Sequence, residues 1–262
     1  MNQTKRKKRR RKRKIQKIIS AILAYAILIV AAILLTYSAM YIYDLVTGKE
    51  TKSFGEELTQ IVFSQEEKKE SDVFHGEGTG KHVVLDAGHG GEDGGTIGKH
   101  ADEKDVNLAV TEYLKEYLEQ AGVKVTMTRT KDEYLSLDER TELANQTDAE
   151  LFVSIHCNYY EGSSSIYGLE CYHYPGMDDG QACAETLLDA MREQEEIHVR
   201  NVKEEDFYVL KHTQMTAILV ELGYLSNNKE CKNLADASYQ KMLAQALTKG
   251  ILKSLDSNVS FE

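Results

Sequence analysis

The sequence has no acidic residue before Asp44, no charged residue from Ile18 to Tyr43, no CxxC pair among its four cysteines and no internal repeat. Each absence excludes something. Without a CxxC pair or a dense cysteine framework, a cysteine-based zinc finger and a disulfide-stapled scaffold both fall away. Cys157, Cys171, Cys183 and Cys231 are expected as buried thiols or as one bridge. A chain of 262 residues without repeats fits one sizeable domain plus additional segments.

Charge is divided sharply along the chain. Residues 1–43 hold eleven of the 32 Lys/Arg and none of the 42 Asp/Glu, so the rest sets 21 basic residues against 42 acidic ones. An acidic remainder argues against nucleic acid as a ligand, because phosphate binding depends on Lys/Arg neutralising the backbone. The uncharged stretch AILAYAILIVAAILLTYSAMYIY exceeds the roughly 20 apolar residues a helix needs to cross a bilayer. Basic flanks stay in the cytoplasm. The expectation is therefore a single-pass signal-anchor in the cell membrane, with a cytoplasmic N-terminus and everything after Asp44 outside. Tyr37, Tyr41 and Tyr43 suit the outer interface. The apolar run is longer than a signal-peptide h-region of about 7–15 residues, and no A-x-A site follows; cleavage would instead give a secreted protein.

Residues 44–80 are polar and rich in Glu, Lys, Ser and Gly, and read as a linker. From Lys81 strand-like and helix-like patterns alternate, which means α/β. HVVLDAG, Val123–Thr128, Leu151–Ile155, Leu169–Tyr174 and Ala217–Leu222 read as strands. In VNLAVTEYLKEYLEQAG, Val106, Val110, Tyr113, Leu114, Tyr117 and Ala121 recur at helical spacing, with Gly122 as a stop. Ser136 and Glu139 form a capping box ahead of a second helix, and Gln181–Gln194 and Ser238–Leu255 read as two more. The predicted organisation is a basic leader (1–17), a transmembrane helix (18–43), a linker (44–80) and one folded domain (81–257), with a mostly parallel or mixed central sheet flanked by helices.

Three chemically active side chains fall at the carboxyl ends of predicted strands, the edge where open α/β sheets bind ligands. His89 lies in the glycine-rich AGHGGEDGG, His156 ends LFVSI, and Glu221 sits inside the apolar ILVELGYL. An unpaired carboxylate in such a run costs several kcal/mol or shifts its pKa, so Glu221 calls for a cation or a proton to handle. Glu103 opens the first helix, where the dipole alone favours a carboxylate. Together the four supply two imidazoles, one carboxylate ligand and one spare carboxylate, the donor set of a catalytic His₂Glu zinc site plus a base.

At four places, in order, the sequence resembles the zinc-dependent N-acetylmuramoyl-L-alanine amidases of the AmiC-like kind: VVLDAGHGGEDGG, DEKDVNLAV, LFVSIHCN and AILVELGYLSN. The resemblance covers Lys81–Leu255. It implies that His89, Glu103 and His156 bind one Zn²⁺, that Glu221 is the catalytic carboxylate, and that peptidoglycan is the substrate. The bond cleaved would join the muramoyl lactyl group to L-alanine. The alternatives are another zinc peptidase of the wall or a catalytically silent wall-binding protein; the sequence specifies no activator. LDERTELAN resembles the family's helix before the second histidine strand. Ala87 and Thr216 stand where proline is frequent, and Cys157 follows the ligand histidine where a small residue is usual. A thiolate at Cys157 could bind the metal or be oxidised. Glu92, Asp93 and Asn158 lie close to these residues in sequence, as neighbours of the site or as solvated side chains.

Overall fold

A computed structural model describes residue 74 and residues 78–256 of the chain. The basic leader, the expected membrane span at 18–43 and most of the expected linker lie outside these residues. Among the described residues no helix is long and apolar enough to cross a membrane. Phe74, within the expected linker, is a correction: it is buried in the main core, so the domain begins before Lys81.

Six strands form one mixed sheet in the order β2-β1-β3-β6-β4-β5, comprising β1 (His82–Ala87), β2 (Lys124–Met127), β3 (Leu151–Asn158), β4 (Leu169–His173), β5 (Val199–Glu204) and β6 (Thr216–Tyr224). The strands β2, β1, β3 and β6 run parallel, while β4 runs antiparallel to β6 and parallel to β5. Helices α1 (Glu103–Gln120), α3 (Asp178–Arg192) and α6 (Ala237–Asp256) pack on one face. The short helices α2 (Leu137–Asn145) and α4 (Tyr208–His212) cover the other, and α5 (Asn228–Leu234) follows β6.

Alternation along the central strands explains the two layers. Val83, Leu85, Leu151, Val153, Ile155, Ile218 and Val220 point into the larger core with α1, α3 and α6, while Val84, Phe152, Ala217 and Leu219 point toward α2 and α4. Period-two patterning of this kind pins the register, since a one-residue slip would exchange the faces. The capping box of α2 is present in full: the Ser136 hydroxyl accepts from the Glu139 amide at 3.2 Å, and the Glu139 carboxylate accepts from the Ser136 amide at 2.8 Å. All four cysteines are free and buried, which decides between thiols and a bridge.

Three elements escaped the periodicity. β5 alternates poorly and is only half-buried at the sheet edge; α4 and α5 span five and seven residues, too short for a helical stripe.

Candidate active site

The site is built just beyond the end of β1 and on the carboxyl-terminal halves of β3 and β6. After β1 the chain turns through Gly88 into His89, whose φ of 60° is left-handed, a conformation L-residues adopt at a cost of about 1–2 kcal/mol. Two buried arginines hold it there. Arg140 of α2 donates to the carbonyls of Ala87 (2.8 Å) and His89 (2.8 Å) and pairs with Asp86 at 2.7 Å. Arg129, after β2, donates to the carbonyls of Ala87 (2.8 Å), Gly88 (3.0 Å) and Lys104 (2.9 Å), tying the loop to the start of α1. Burial alone would raise the Asp86 carboxyl, but Arg140 and the Thr128 hydroxyl outweigh it and hold it below its ordinary value.

This frame brings together His89, Glu103 and His156. One Glu103 oxygen, Oε1, lies 3.1 Å from His89 Nε2 and 3.0 Å from His156 Nδ1, and one donor atom from each residue lies within 4.8 Å of the others. The imidazole rings meet edge to face at 4.9 Å. The Asp93 carboxylate accepts from His89 Nδ1 at 2.8 Å, which aims Nε2 at Glu103; a carboxylate in this position fixes ring orientation. Two glycines make the approach possible. A Cβ on Gly88 would lie 2.2 Å from the His156 ring, and one on Gly95 (φ +62°) 2.7 Å from both Glu103 Oε2 and the His89 ring.

The electrostatics are those of a cluster that attracts positive charge. Burial would raise the Glu103 carboxyl, but hydrogen bonds from His156 and His89 bring it well below the carboxylate range. Burial would lower the His89 imidazole, yet Glu103 and Asp93 lift it to about 9. Glu221 pairs in register with His156 across β3 and β6. Its Oε2 is buried without a hydrogen-bond partner, and burial, with a smaller counter-effect from His156, pushes its carboxyl up to about 7. Glu221 lies inside the nine-residue β6 and not at its end, a correction to the shorter strand expected from sequence.

Residues 83–253 match the model of the N-acetylmuramoyl-L-alanine amidase family. The chain belongs to that family. It is 33% identical over 190 residues to the germination-specific N-acetylmuramoyl-L-alanine amidase of Bacillus subtilis, covering 67% of this chain and 80% of that relative. Among solved structures it resembles an N-acetylmuramoyl-L-alanine amidase of Clostridium difficile 630 (TM-score 0.66, 34% identity, 68% of this chain and 98% of that one). It also resembles the CwlD amidase of Clostridioides difficile, solved in complex with the GerS lipoprotein (TM-score 0.64, 36% identity, 67% and 98%). By family this is a cell-wall amidase, a hydrolase of an amide bond.

Within the amidase, the residues that sequence reasoning left open now separate. Asp93 touches His89, whereas Glu92 is exposed. Asn158 donates to Glu170 at 3.2 Å. Cys157 sends its side chain into the core and only its amide to Glu103 (3.1 Å); burial raises its thiol well above the ordinary range, so no thiolate faces the cluster. Sequence reasoning missed Arg129 and Arg140. A signal existed at Arg140, a cation on the inward stripe of α2 beside Ala144.

Proposed function

We propose that this amidase hydrolyses the amide between the N-acetylmuramoyl lactyl group and L-alanine of the peptidoglycan stem peptide. In this reading His89, Glu103 and His156 hold one Zn²⁺, and Glu221 moves the proton. The observation that carries it is the convergence of the three donor atoms within 4.8 Å beside a buried carboxylate oxygen without a partner. The donor set also fits zinc chemically, since two imidazoles and a carboxylate match catalytic sites of the His₂Glu type. Zinc held there would polarise the scissile carbonyl and lower the pKa of water toward about 7.

The chain's own residues would do the rest. Asp93 and the arginine-braced loop keep His89 aimed, and Asn107, buried on α1, donates to the Gly88 carbonyl at 3.2 Å. Glu221 takes a proton from the attacking water and gives one to the departing amine of L-alanine, so that amide and water become carboxylate and amine. We also place the protein in the cell membrane through residues 18–43, with the amidase domain outside, where its substrate lies. The CwlD–GerS complex supports a protein partner for this chain as well.

The test is digestion of purified peptidoglycan by the full-length chain, with new L-alanine amino termini followed by mass spectrometry. Termini should appear, disappear with a chelator and return with zinc. Stoichiometric metal without new L-alanine termini would move the reading to another bond of the wall; absence of bound metal would remove the ligand assignment.

A further inference from the structure

Beyond Glu221 a row of polar side chains continues across the sheet. His156, Glu221 and Glu170 occupy successive paired positions on β3, β6 and β4, and such cross-strand partners present their side chains on one face. Glu170 is fully buried and receives five donors. Arg200 Nε (2.7 Å) and Lys203 Nζ (2.8 Å) meet its Oε1; the hydroxyls of Tyr172 (2.8 Å) and Tyr224 (3.0 Å) and the Asn158 amide (3.2 Å) meet its Oε2. In a regular strand residues three apart point to opposite faces. The register irregularity between β4 and β5 lets Arg200 and Lys203 both reach the same oxygen.

Two cations share one oxygen of this carboxylate. Both reach the rim, where the Arg200 and Lys203 side chains are 32% and 41% exposed, in a part of the chain that is otherwise strongly acidic. Arg200 donates through Nε to Glu170 and through Nη1 to the Tyr167 carbonyl (3.3 Å), and a guanidinium has further N–H groups that can donate to a second carboxylate. The β5 backbone stands two strand spacings, about 10 Å, from that of β6, and the two cationic groups reach in over Glu170, the strand neighbour of Glu221. In an extended stem peptide the carboxylate of the second residue lies about 7 Å from the scissile carbonyl. An ion-pair contact of about 3 Å closes the remainder.

We propose that Arg200 and Lys203 form a carboxylate subsite that takes the free carboxylate of the second stem-peptide residue. The proposal rests on the amidase reading above, and it adds the charge of the peptide that the site selects. Glu170 holds the two cations in place, with Tyr172 and Tyr224 fixing its other oxygen.

The experiment measures binding without turnover. Full-length protein carrying Glu221→Gln, solubilised in detergent and loaded with zinc, is titrated calorimetrically with two disaccharide tetrapeptides. They differ only in whether the second residue bears its free carboxylate or the corresponding amide. The carboxylate form should bind about tenfold more tightly, the size expected of a partly exposed charge-assisted contact. Arg200→Gln and Lys203→Gln should each reduce that ratio while leaving affinity for the amide form unchanged; each leaves Glu170 one cation, and circular dichroism checks the fold. A structural role alone would not separate the two ligands. Equal affinities, no binding of the carboxylate form, or a full preference surviving in both variants would overturn the subsite. Wall digestion by the unmutated chain reports separately: cleavage without discrimination rejects the subsite alone, and discrimination without new L-alanine termini rejects the cleavage reading.

Discussion

Single atoms decide whether this site works. Removing the Glu221 carboxylate while keeping its shape should cost about 10²–10⁴-fold in turnover, the usual range for a general acid or base. Glu221→Gln should nevertheless retain metal, because His89, Glu103 and His156 are untouched; near-normal wall digestion by this variant would remove the assignment. Gly88→Ala is predicted to act in the opposite manner. The added methyl would lie 2.2 Å from the His156 ring, so the ring must move and metal content should fall together with activity. A Gly88→Ala protein with full metal occupancy would mean that the ring has room the geometry denies it. Gln at 221 tests proton transfer, and Ala at 88 tests the geometry of the donors.

At the scale of elements, the first loop depends on α2 through Arg140. Breaking a buried ion pair by removing one partner typically costs about 3–5 kcal/mol, so Arg140→Met should lower the melting temperature and loosen the His89 loop at once. The Asp86–Arg140 pair also sets a pH dependence. Asp86 is held below its ordinary pKa in the folded protein, so the folded state binds its proton less readily than the unfolded chain. Its contribution is present above the ordinary carboxylate range and fades as pH falls below it; Asp86→Asn should flatten that acid limb in a series of denaturation curves. The parts of the fold legible in the sequence were those with repeating physics. Val83–Ala87, Leu151–Ile155 and Ala217–Leu222 are apolar runs each interrupted by a single polar residue, α1 carries a stripe from Val106 to Ala121, and Ser136 with Glu139 announces α2. Strand ends and glycines are local signals, and the residues they point to lie close together: His89, Glu103 and His156 converge within 4.8 Å, and Glu221 pairs with His156 across the sheet. What stayed hidden depends on pairings distant in sequence: Arg129 and Arg140 reach back more than forty residues to the β1 loop, and β5 takes its place from β4 and not from its own pattern.

For the molecule as a whole, location and redox state complete the account. Removing residues 1–43 should move the amidase from the membrane fraction to the soluble one without loss of activity on isolated wall; persistence in the membrane would point to a different anchor. In the main core Leu247, fully buried on α6, should cost about 2–5 kcal/mol when truncated to Ala, read as a shift in urea midpoint. The four buried thiols bear on the molecule differently. With no disulfide among them, the folded state draws no stability from a cross-link, and a reducing agent should leave the melting temperature where it was. Each thiol is also a clock. Cys171 and Cys231 are wholly inaccessible in the native state, so a thiol reagent can reach them only when the domain opens, and with reagent in sufficient excess to outpace reclosing their rate of alkylation measures the lifetime of the folded enzyme.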